Sequence, residues 1–207
     1  MDYALLGSFL IVAIVLTLAP GPDILFVMAQ SMSNGKRAGM ATALGLCSGI
    51  TVHTMAAALG ISAVLYQSNT AFQIVKYIGA IYLLYMAWQA FKEGNTPLAA
   101  GKVEKRSLSS LYRKGILMNI LNPKVSLFFL ALLPQFVSTK AGSPVLQMVV
   151  LGFVFMIQAV VILALVAMFA GSIGQRFLRY PKMNGYINKG KAGLFALIGI
   201  RIALAEK

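Results

Sequence analysis

The sequence predicts an all-α polytopic membrane protein with six transmembrane helices. Its 207 residues are 59% hydrophobic and only 11% charged, with a mean hydropathy of +0.81, whereas about a quarter of the residues in a soluble domain are charged. At about 20 residues per span, this length accommodates five or six helices and almost no extramembrane domain. We therefore expect residues 1–207 to form a single transmembrane domain.

Six apolar segments follow one another along the chain. The longest polar stretch, at 92–114, divides them into halves of about 1–91 and 115–207, with three spans in each half. Because an odd number of spans reverses the direction of the chain, any repeat of one half in the other would be inverted. Prolines interrupt the first and the fourth span. The six segments cover about 4–32, 38–65, 72–91, 115–134, 145–171 and 192–205.

Basic residues predict the orientation in the membrane. The loops after spans 1, 3 and 5 hold two, six and five Lys or Arg residues, whereas the opposite loops hold only Lys140. Cytoplasmic loops are enriched in such residues, so we expect the basic loop 92–114 in the cytoplasm and the N-terminus outside. The net charge of +13 then faces anionic lipid, and no nucleic-acid partner is predicted.

The first break lies at residues 18–23, within span 1. Pro20 and Pro22 remove backbone donors and Gly21 loosens the chain between them, so the freed carbonyls need partners inside the protein or in a water-lined cavity. Asp23 adds a charge that costs about 2.5–3.5 kcal/mol in the membrane. A broken helix with a charge near mid-membrane is typical of a transport site.

The second break carries an opposite charge. Span 4 contains Asn119, Asn122, Pro123 and Lys124. Asp23 and Lys124 lie about nine and ten residues from the same membrane face, so both are about 14 Å deep at 1.5 Å per residue. Such a pair suits a zwitterion, with the carboxylate taking an ammonium group. Lys124 and the amides after Pro22 would then take a carboxylate.

Structural roles are open for the same residues. Asp is a favoured N-cap, so Asp23 is also explained as the cap of the restarted half-helix. Asn122 and Pro123 fit an N-cap followed by proline at the first helical position. A fixed ion pair between Asp23 and Lys124 would hold the fold, and Asn119 fits a polar contact between helices as well as a substrate contact.

His53 is the one histidine, and two roles are open for it. It shares a helix face with small residues that allow another helix to approach closely, so it points toward protein. A hydrogen-bonded packing residue is one reading. A proton relay is the other, because the reference pKa of His is near 6.5. The small residues of this face are Ala41, Gly45, Gly49 and Ala57.

Several chemistries find no support in the sequence. Cys47 is the single cysteine, which excludes an intrachain disulfide and a cysteine-based metal cluster. The methionines do not cluster with Cys47 and His53 as a soft-metal site requires. No phosphate-binding loop is present, and no activated serine can be assigned. We therefore predict no cofactor, no metal and no enzymatic activity.

Motifs along nearly the whole chain resemble the lysine exporter superfamily, and its homoserine/threonine-resistance branch most closely. The resemblance implies a protein of the bacterial cytoplasmic (inner) membrane, with about six spans, that exports amino acids at the expense of the proton gradient. The motifs are residues 18–23, 35–39, His53 with Gly60, 76–80 with 82–83, 119–124 and 133–136.

The sequence therefore predicts a secondary transporter that exports amino acids, homoserine-like, threonine-like or other small neutral ones, by proton antiport. Its expected partners are the substrate, protons and lipid, and the glycine-rich face of span 2 also allows a homodimer. Export of inorganic cations is the alternative, followed by a membrane scaffold or an intramembrane enzyme. The predicted substrate-binding residues are Pro20, Gly21, Pro22, Asp23, Asn119, Asn122, Pro123 and Lys124, and the predicted proton-coupling residues are Asp23 and His53.

Overall fold

A computed structural model describes residues 3–19, 21–61, 69–93, 106–138, 142–179 and 181–204. All regular structure in these ranges is helical, which confirms the all-α class. The loop at 94–105, Lys140 and Pro20 lie outside the described residues. The helices are α1 Tyr3–Leu18, α2 Pro22–Asn34, α3 Lys36–Met55, α4 Asn69–Glu93, α5 Leu108–Ile120, α6 Pro123–Leu127, α7 Pro144–Arg179 and α8 Pro181–Leu204.

Two helices are long and apolar enough to cross a membrane alone. They are α3, which a π-helical segment at Ala56–Ile61 extends, and α7. Two bent pairs bring the number of candidate spans in the described residues to four: α1 with α2, at an angle of 53°, and α5 with the segment Pro123–Phe136, at 48°. Both bends lie where the sequence predicts a break. Helices also cover the third and sixth predicted spans, and α8 is longer than the short segment expected there.

The first bend arises from the prolines and the glycine. The amide of Ala19 still donates to Val15 O at 2.9 Å, and the helix then stops. Gly21 is extended (φ −149°, ψ −179°) and stands at the N-cap of α2, with Pro22 in the first turn. The first bond of the restarted helix runs from Leu25 N to Gly21 O at 3.1 Å. Asp23 therefore lies in the first turn of α2, and the reading of Asp23 as its N-cap is wrong.

The second bend has a true side-chain cap. Asn122 is extended, as is usual before a proline, and its Oδ1 accepts a hydrogen bond from the amide of Lys124 at 2.9 Å. Pro123 occupies the first turn, where its missing N–H costs nothing. The predicted N-cap and proline are thus confirmed. Beyond α6 the chain continues in a π-helical turn, Phe128–Leu132, and a 3₁₀ turn, Leu133–Phe136.

Glycines allow α3 and α5 to cross closely, as the small-residue face predicts. A Cβ atom at Gly45 would collide with the backbone of Tyr112, and one at Gly115 would lie 2.6 Å from Thr42 O. Small residues play the same role elsewhere: a Cβ at Gly152 of α7 would meet the side chain of Thr54 on α3. The α3 helix therefore packs tightly against both α5 and α7.

An aromatic cluster joins the first helix to the second half of the chain. Phe128 contacts Phe9 at 5.9 Å and Phe155 at 5.1 Å between ring centroids, and Phe129 contacts Phe155 at 5.3 Å. All four side chains are buried. The edge-to-face and tilted geometries are those that aromatic pairs favour. The cluster holds α1, the π-helical turn and α7 together beside the two bends.

The outer faces of the long helices are apolar, as a membrane requires. A soluble protein rarely exposes so many large apolar side chains, but in a membrane protein such side chains face the acyl chains of lipid. On α4 and α7 they include Ile74, Ile78, Ile81, Leu146, Phe153, Ile157 and Phe169.

Replacing Gly45 by leucine tests the α3–α5 crossing. The added side chain would force the helices apart, and overpacking of this kind costs at least about 1–3 kcal/mol. We expect Gly45→Leu to lower the melting temperature of the purified protein in detergent. Gly7→Leu is the matched control, because Gly7 has nothing within 4 Å of its Cβ position. Equal melting temperatures for the two variants would contradict the close crossing.

Candidate functional site

The two bends lie side by side and are joined by hydrogen bonds. Asn122 Nδ2, at the second bend, donates to Asp23 Oδ2, at the first bend, at 2.7 Å. The same Asn122 side chain accepts from Lys124 N. One carboxamide therefore caps its own helix and pairs with a carboxylate on another, and Asn122 is almost completely buried while doing so.

Lys124 adds two further hydrogen bonds from the second bend to the first. Its Nζ donates to Leu16 O at 2.9 Å and to Ala19 O at 3.2 Å. Leu16 is in the last turn of α1 and Ala19 directly follows that helix, and carbonyls at the end of a helix have no amide within the helix to donate to them. A cation at this position also interacts favourably with the negative end of the helix dipole. Gly21 leaves room for the ammonium group, since a Cβ there would lie 3.4 Å from Nζ.

A cavity of about 30 Å³ lies between the bends. At about 10–15 Å³ per water it has room for two or three water molecules, and it is too small for an amino acid. Helices α1, α2, α3, α5, α6 and α7 all contribute to its wall. Its polar lining residues are Thr17, Asp23, Asn119 and Lys124, and its apolar ones include Ile24, Leu46, Ile50, Phe155 and Leu163.

Two acceptor atoms at this cavity have no partner among the described residues. They are Asp23 Oδ1 and Asn119 Oδ1, and both are buried. A buried acceptor without a donor costs about 1–3 kcal/mol, which a donor that enters the cavity would recover. Lys124 lies close enough for its charge to act on Asp23. The first amides of α2, at Asp23 and Ile24, precede the first bond within that helix.

His53 is linked to the site through Asn119. Its Nε2 donates to Asn119 O at 3.0 Å, and its ring packs on Phe129 at 5.8 Å between centroids. The carbonyl of Asn119 also accepts from Asn122 N at 2.9 Å. His53 thus adds a second hydrogen bond to a carbonyl in the last turn of α5, as a hydrogen-bonded packing residue does. A proton relay through His53 stays a prediction.

The structure brings most of the predicted site residues together. Asp23, Asn119 and Lys124 line one cavity, Asn122 bonds to Asp23, and Gly21 borders Lys124. The two predicted prolines that the structure describes, Pro22 and Pro123, do not line the cavity. Pro22 and Pro123 are exposed and act by ending one helix and starting the next.

Sequence reasoning missed four contributors to the site. Two are the carbonyls of Leu16 and Ala19, which carry no side-chain signal. The third is Thr17, a hydroxyl in an apolar helix one turn before the break. The fourth is Gln158, whose Nε2 donates to Thr17 Oγ1 at 2.9 Å. Both polar side chains stand out in apolar segments, and that contrast is the signal that could have found them.

No cluster of metal-binding side chains is present in the part of the chain that the structure describes. No three His, Cys, Asp or Glu residues come together there at metal-binding distances. Cys47 is buried in α3 with a free thiol. The polar groups at the bends are instead a carboxylate, an ammonium and carboxamides, which suit an organic ion with both charges.

A helical bundle in which two proline-broken helices meet at opposite charges has the architecture of a membrane transporter. A family model described as LysE type translocator matches residues 14–206. The chain belongs to this family, and it is therefore a translocator and not an enzyme.

Relatives from bacteria match over nearly their whole length. An uncharacterized membrane protein of Vibrio cholerae serotype O1 is 32% identical over 100% of both chains. The homoserine/homoserine lactone efflux protein of Salmonella typhimurium is 28% identical over 96% of both chains. The leucine efflux protein of Enterobacter sp. (strain 638) is 26% identical over 96% of this chain and 94% of its own. No solved structure matches at a significant level.

Two substitutions distinguish the contribution of the Asn122–Asp23 bond to stability from that of helix capping alone. Ser107 caps α5, where its side chain accepts from Ser110 N at 3.3 Å, and Ser107→Ala should cost about 0.5–2 kcal/mol of unfolding free energy. Asn122→Ala loses a cap of the same kind and also leaves Asp23 Oδ2 unpaired, which adds about 1–3 kcal/mol. Unfolding by SDS in mixed micelles measures both, and equal losses would mean that the bond to Asp23 contributes nothing.

Proposed function

We propose that this protein is a secondary transporter that exports a small neutral amino acid from the bacterial cytoplasm by proton antiport. The observation that carries the proposal is the pair of unpartnered acceptors, Asp23 Oδ1 and Asn119 Oδ1, at a cavity that Lys124 also lines. Acceptors on one side and a cation on the other match the two ends of an amino-acid zwitterion.

In this proposal the substrate's ammonium group binds at Asp23 and Asn119. An ammonium has three hydrogens to donate, and Asp23 Oδ1 and Asn119 Oδ1 each offer a free lone pair. Asp23 keeps its bond from Asn122 through Oδ2, so its carboxylate stays oriented while Oδ1 takes the substrate. Charge-assisted bonds of this type are about twice as strong as neutral ones.

The substrate's carboxylate is proposed to bind at Lys124 and the start of α2. The first amides of a helix and the positive end of its dipole form an anion site, and Ile24 in this turn lines the cavity. Lys124 would exchange the carbonyls of Leu16 and Ala19 for the carboxylate. The hydrophobic remainder of the wall receives the substrate's side chain.

We propose that substrate binding weakens the contact between the bends, because the substrate's carboxylate and the first bend bind the same ammonium group of Lys124. Two of the three hydrogens of the Lys124 ammonium group already go to Leu16 O and Ala19 O, and a carboxylate that attracts this group would weaken those bonds. It also lines a second cavity of about 10 Å³ beside Tyr82 and Met86 of α4, which gives its side chain space to move. Since the main cavity is too small for an amino acid, the half-helices must tilt for the substrate to enter.

Asp23 is also the proposed proton carrier. A carboxylate that alternates between an ammonium and a proton exchanges one for the other, which is antiport. His53 bonds to the backbone carbonyl of Asn119, which also lines the cavity, and a role for His53 in proton delivery is a further part of the proposal. The names of two relatives, for homoserine or homoserine lactone and for leucine efflux, support a small neutral amino acid as the substrate. Export of inorganic cations is the alternative that the transport test must exclude.

We further infer six spans arranged as an inverted repeat, with the N-terminus outside. The bends of the first and fourth spans are similar, at 53° and 48°. In addition, α3 packs on α7 and α4 packs on α8, which pairs the second span with the fifth and the third with the sixth. Two basic residues of the proposed cytoplasmic side lie over aromatic rings, Lys92 over Trp88 at 4.5 Å and Lys114 over Phe26 at 4.6 Å.

Cysteine labelling tests this topology. In a Cys47→Ser background, Ser33→Cys and Ser143→Cys place single thiols at exposed positions in the last turn of α2 and directly before α7. A membrane-impermeant maleimide should label the second in intact cells and the first only after permeabilisation, because three spans separate them. Labelling of both from one side would contradict the span count, and the reversed pattern would contradict the orientation.

Transport from proteoliposomes tests the mechanism. Right-side-out vesicles loaded with labelled homoserine, threonine or leucine should release them several-fold faster when the outside is acidic, and a protonophore should abolish the increase. Asp23→Asn should lose the response to the gradient, because an amide carries no exchangeable charge. Glu93→Gln is the matched control, since it makes the same carboxylate-to-amide change at the end of α4.

Each failure has a distinct meaning. Efflux that ignores the gradient would contradict antiport, and gradient-driven efflux by Asp23→Asn would contradict its role as proton carrier. If the wild-type protein released none of the amino acids, the substrate class would be wrong. Vesicles loaded with divalent cations would then test the alternative.

A further inference from the structure

A glutamine on α7 reaches the wall of the cavity. Gln158 lies beside Ala159 and one turn from Phe155, both of which line the cavity. Its side chain is 9% exposed, and Nε2 donates to Thr17 Oγ1 at 2.9 Å. Its other polar atom, Oε1, is buried and has no partner among the described residues. Thr17 itself lines the cavity.

The bonds of Thr17 determine what this wall can offer a ligand. A hydroxyl has one hydrogen to donate, and that of Thr17 goes to Ala13 O at 2.9 Å. Its oxygen already accepts from Gln158 Nε2. Thr17 therefore cannot donate to a ligand, and it holds the carboxamide of Gln158 in one orientation. The one polar side-chain atom of this pair that has no partner among the described residues is an acceptor, Gln158 Oε1.

The cavity is thus divided into two parts with different chemistry. Asp23, Asn119 and Lys124 form the charged part, which the proposed function assigns to the ammonium and carboxylate groups shared by all amino acids. The α7 wall is apolar at Phe155 and Leu163, and the buried side chain of Gln158 lies next to it, bonded to Thr17. A substrate held by its charged groups would direct its side chain toward a surface of this kind.

We propose that Gln158 is a specificity-determining residue: its Oε1 accepts a hydrogen bond from a donor on the substrate's side chain. The exporter then prefers small amino acids with a side-chain hydroxyl over apolar amino acids of the same shape. The inference depends on the proposed function, because it assumes that an amino acid occupies the cavity. A site that hydrogen-bonds a hydroxyl rejects the analogue without it strongly, because its own polar group is left unpaired.

Isosteric substrate pairs measure this preference directly. Threonine and valine differ by a hydroxyl in place of a methyl, and homoserine and norvaline differ in the same way. Proteoliposomes loaded with both members of a pair, each with its own label, give a ratio of release rates that does not depend on the amount of folded protein. For the wild-type protein we expect the hydroxylated member to leave at least about tenfold faster.

Substitution of Gln158 should remove the preference and keep transport. Gln158→Met retains an unbranched side chain of similar length without the acceptor, so the ratio should fall to near one with valine release maintained. Gln89→Met is the matched control: Gln89 is exposed on α4, where its Nε2 donates to Tyr85 OH at 2.7 Å, and its variant should keep the wild-type ratio. Thr17→Val is the second variant, and loss of the anchor for Gln158 should lower the ratio.

Three results would overturn the inference. They are a wild-type ratio near one, an unchanged ratio in both Gln158→Met and Thr17→Val, and an equal loss of both substrates in both variants, which would make the pair purely structural. These results differ from failure of the proposed function, in which the wild-type protein releases no amino acid at all.

Discussion

The set of hydrogen bonds that joins the two bends is the interaction on which this structure depends. A helix broken in a bilayer exposes carbonyls and amides that lipid cannot satisfy. Here the ammonium of Lys124 satisfies Leu16 O and Ala19 O on the opposite bend, and Asn122 joins its own cap to Asp23. Neither bend has all of its polar groups hydrogen-bonded without the other. The two must therefore lie at one depth and face each other, and the cavity is the space that this arrangement leaves.

The elements packed around the bends form tight contacts that resist movement. Glycines bring α3 and α5 into backbone contact, and rings from α1, the π-helical turn and α7 interlock beside them. Packed interfaces of this density do not deform continuously. The bends are different, because their bonds can be exchanged for bonds to a ligand. In the proposed mechanism, motion is therefore easiest where the bonds of the bends are exchanged, and the α3–α5 pair is the part that stays fixed.

The charged core of the site could be predicted from sequence because its residues are rare in apolar segments. Asp23 and Lys124 stand out there, residue counting places them at one depth, and Asn122-Pro123 has the form of a helix start. The reading of Asp23 as an N-cap failed because Pro22 takes the first helical position and leaves the cap to Gly21. The carbonyl partners of Lys124 could not be predicted, since every residue has a carbonyl.

The pairing of Gln158 with Thr17 was equally beyond the sequence. It depends on how α1 packs on α7, and 141 positions separate the two residues. The length of α8 was underestimated for a different reason. Its first turns carry Lys182, Asn184 and Lys189, and a hydropathy pattern does not distinguish a polar helical turn from a loop.

The presence of one carboxylate and one ammonium at the bends has an electrical consequence. With Asp23 deprotonated and Lys124 protonated, the pair carries no net charge, and a zwitterionic substrate adds none. In a carrier that works as proposed, the membrane voltage then does no work on the loaded site. It acts on the step in which a proton neutralises Asp23, where one elementary charge corresponds to about 2.3 kcal/mol per 100 mV. The voltage would thus drive the return of the protonated carrier, and it would power export through that step and not through the movement of the substrate itself.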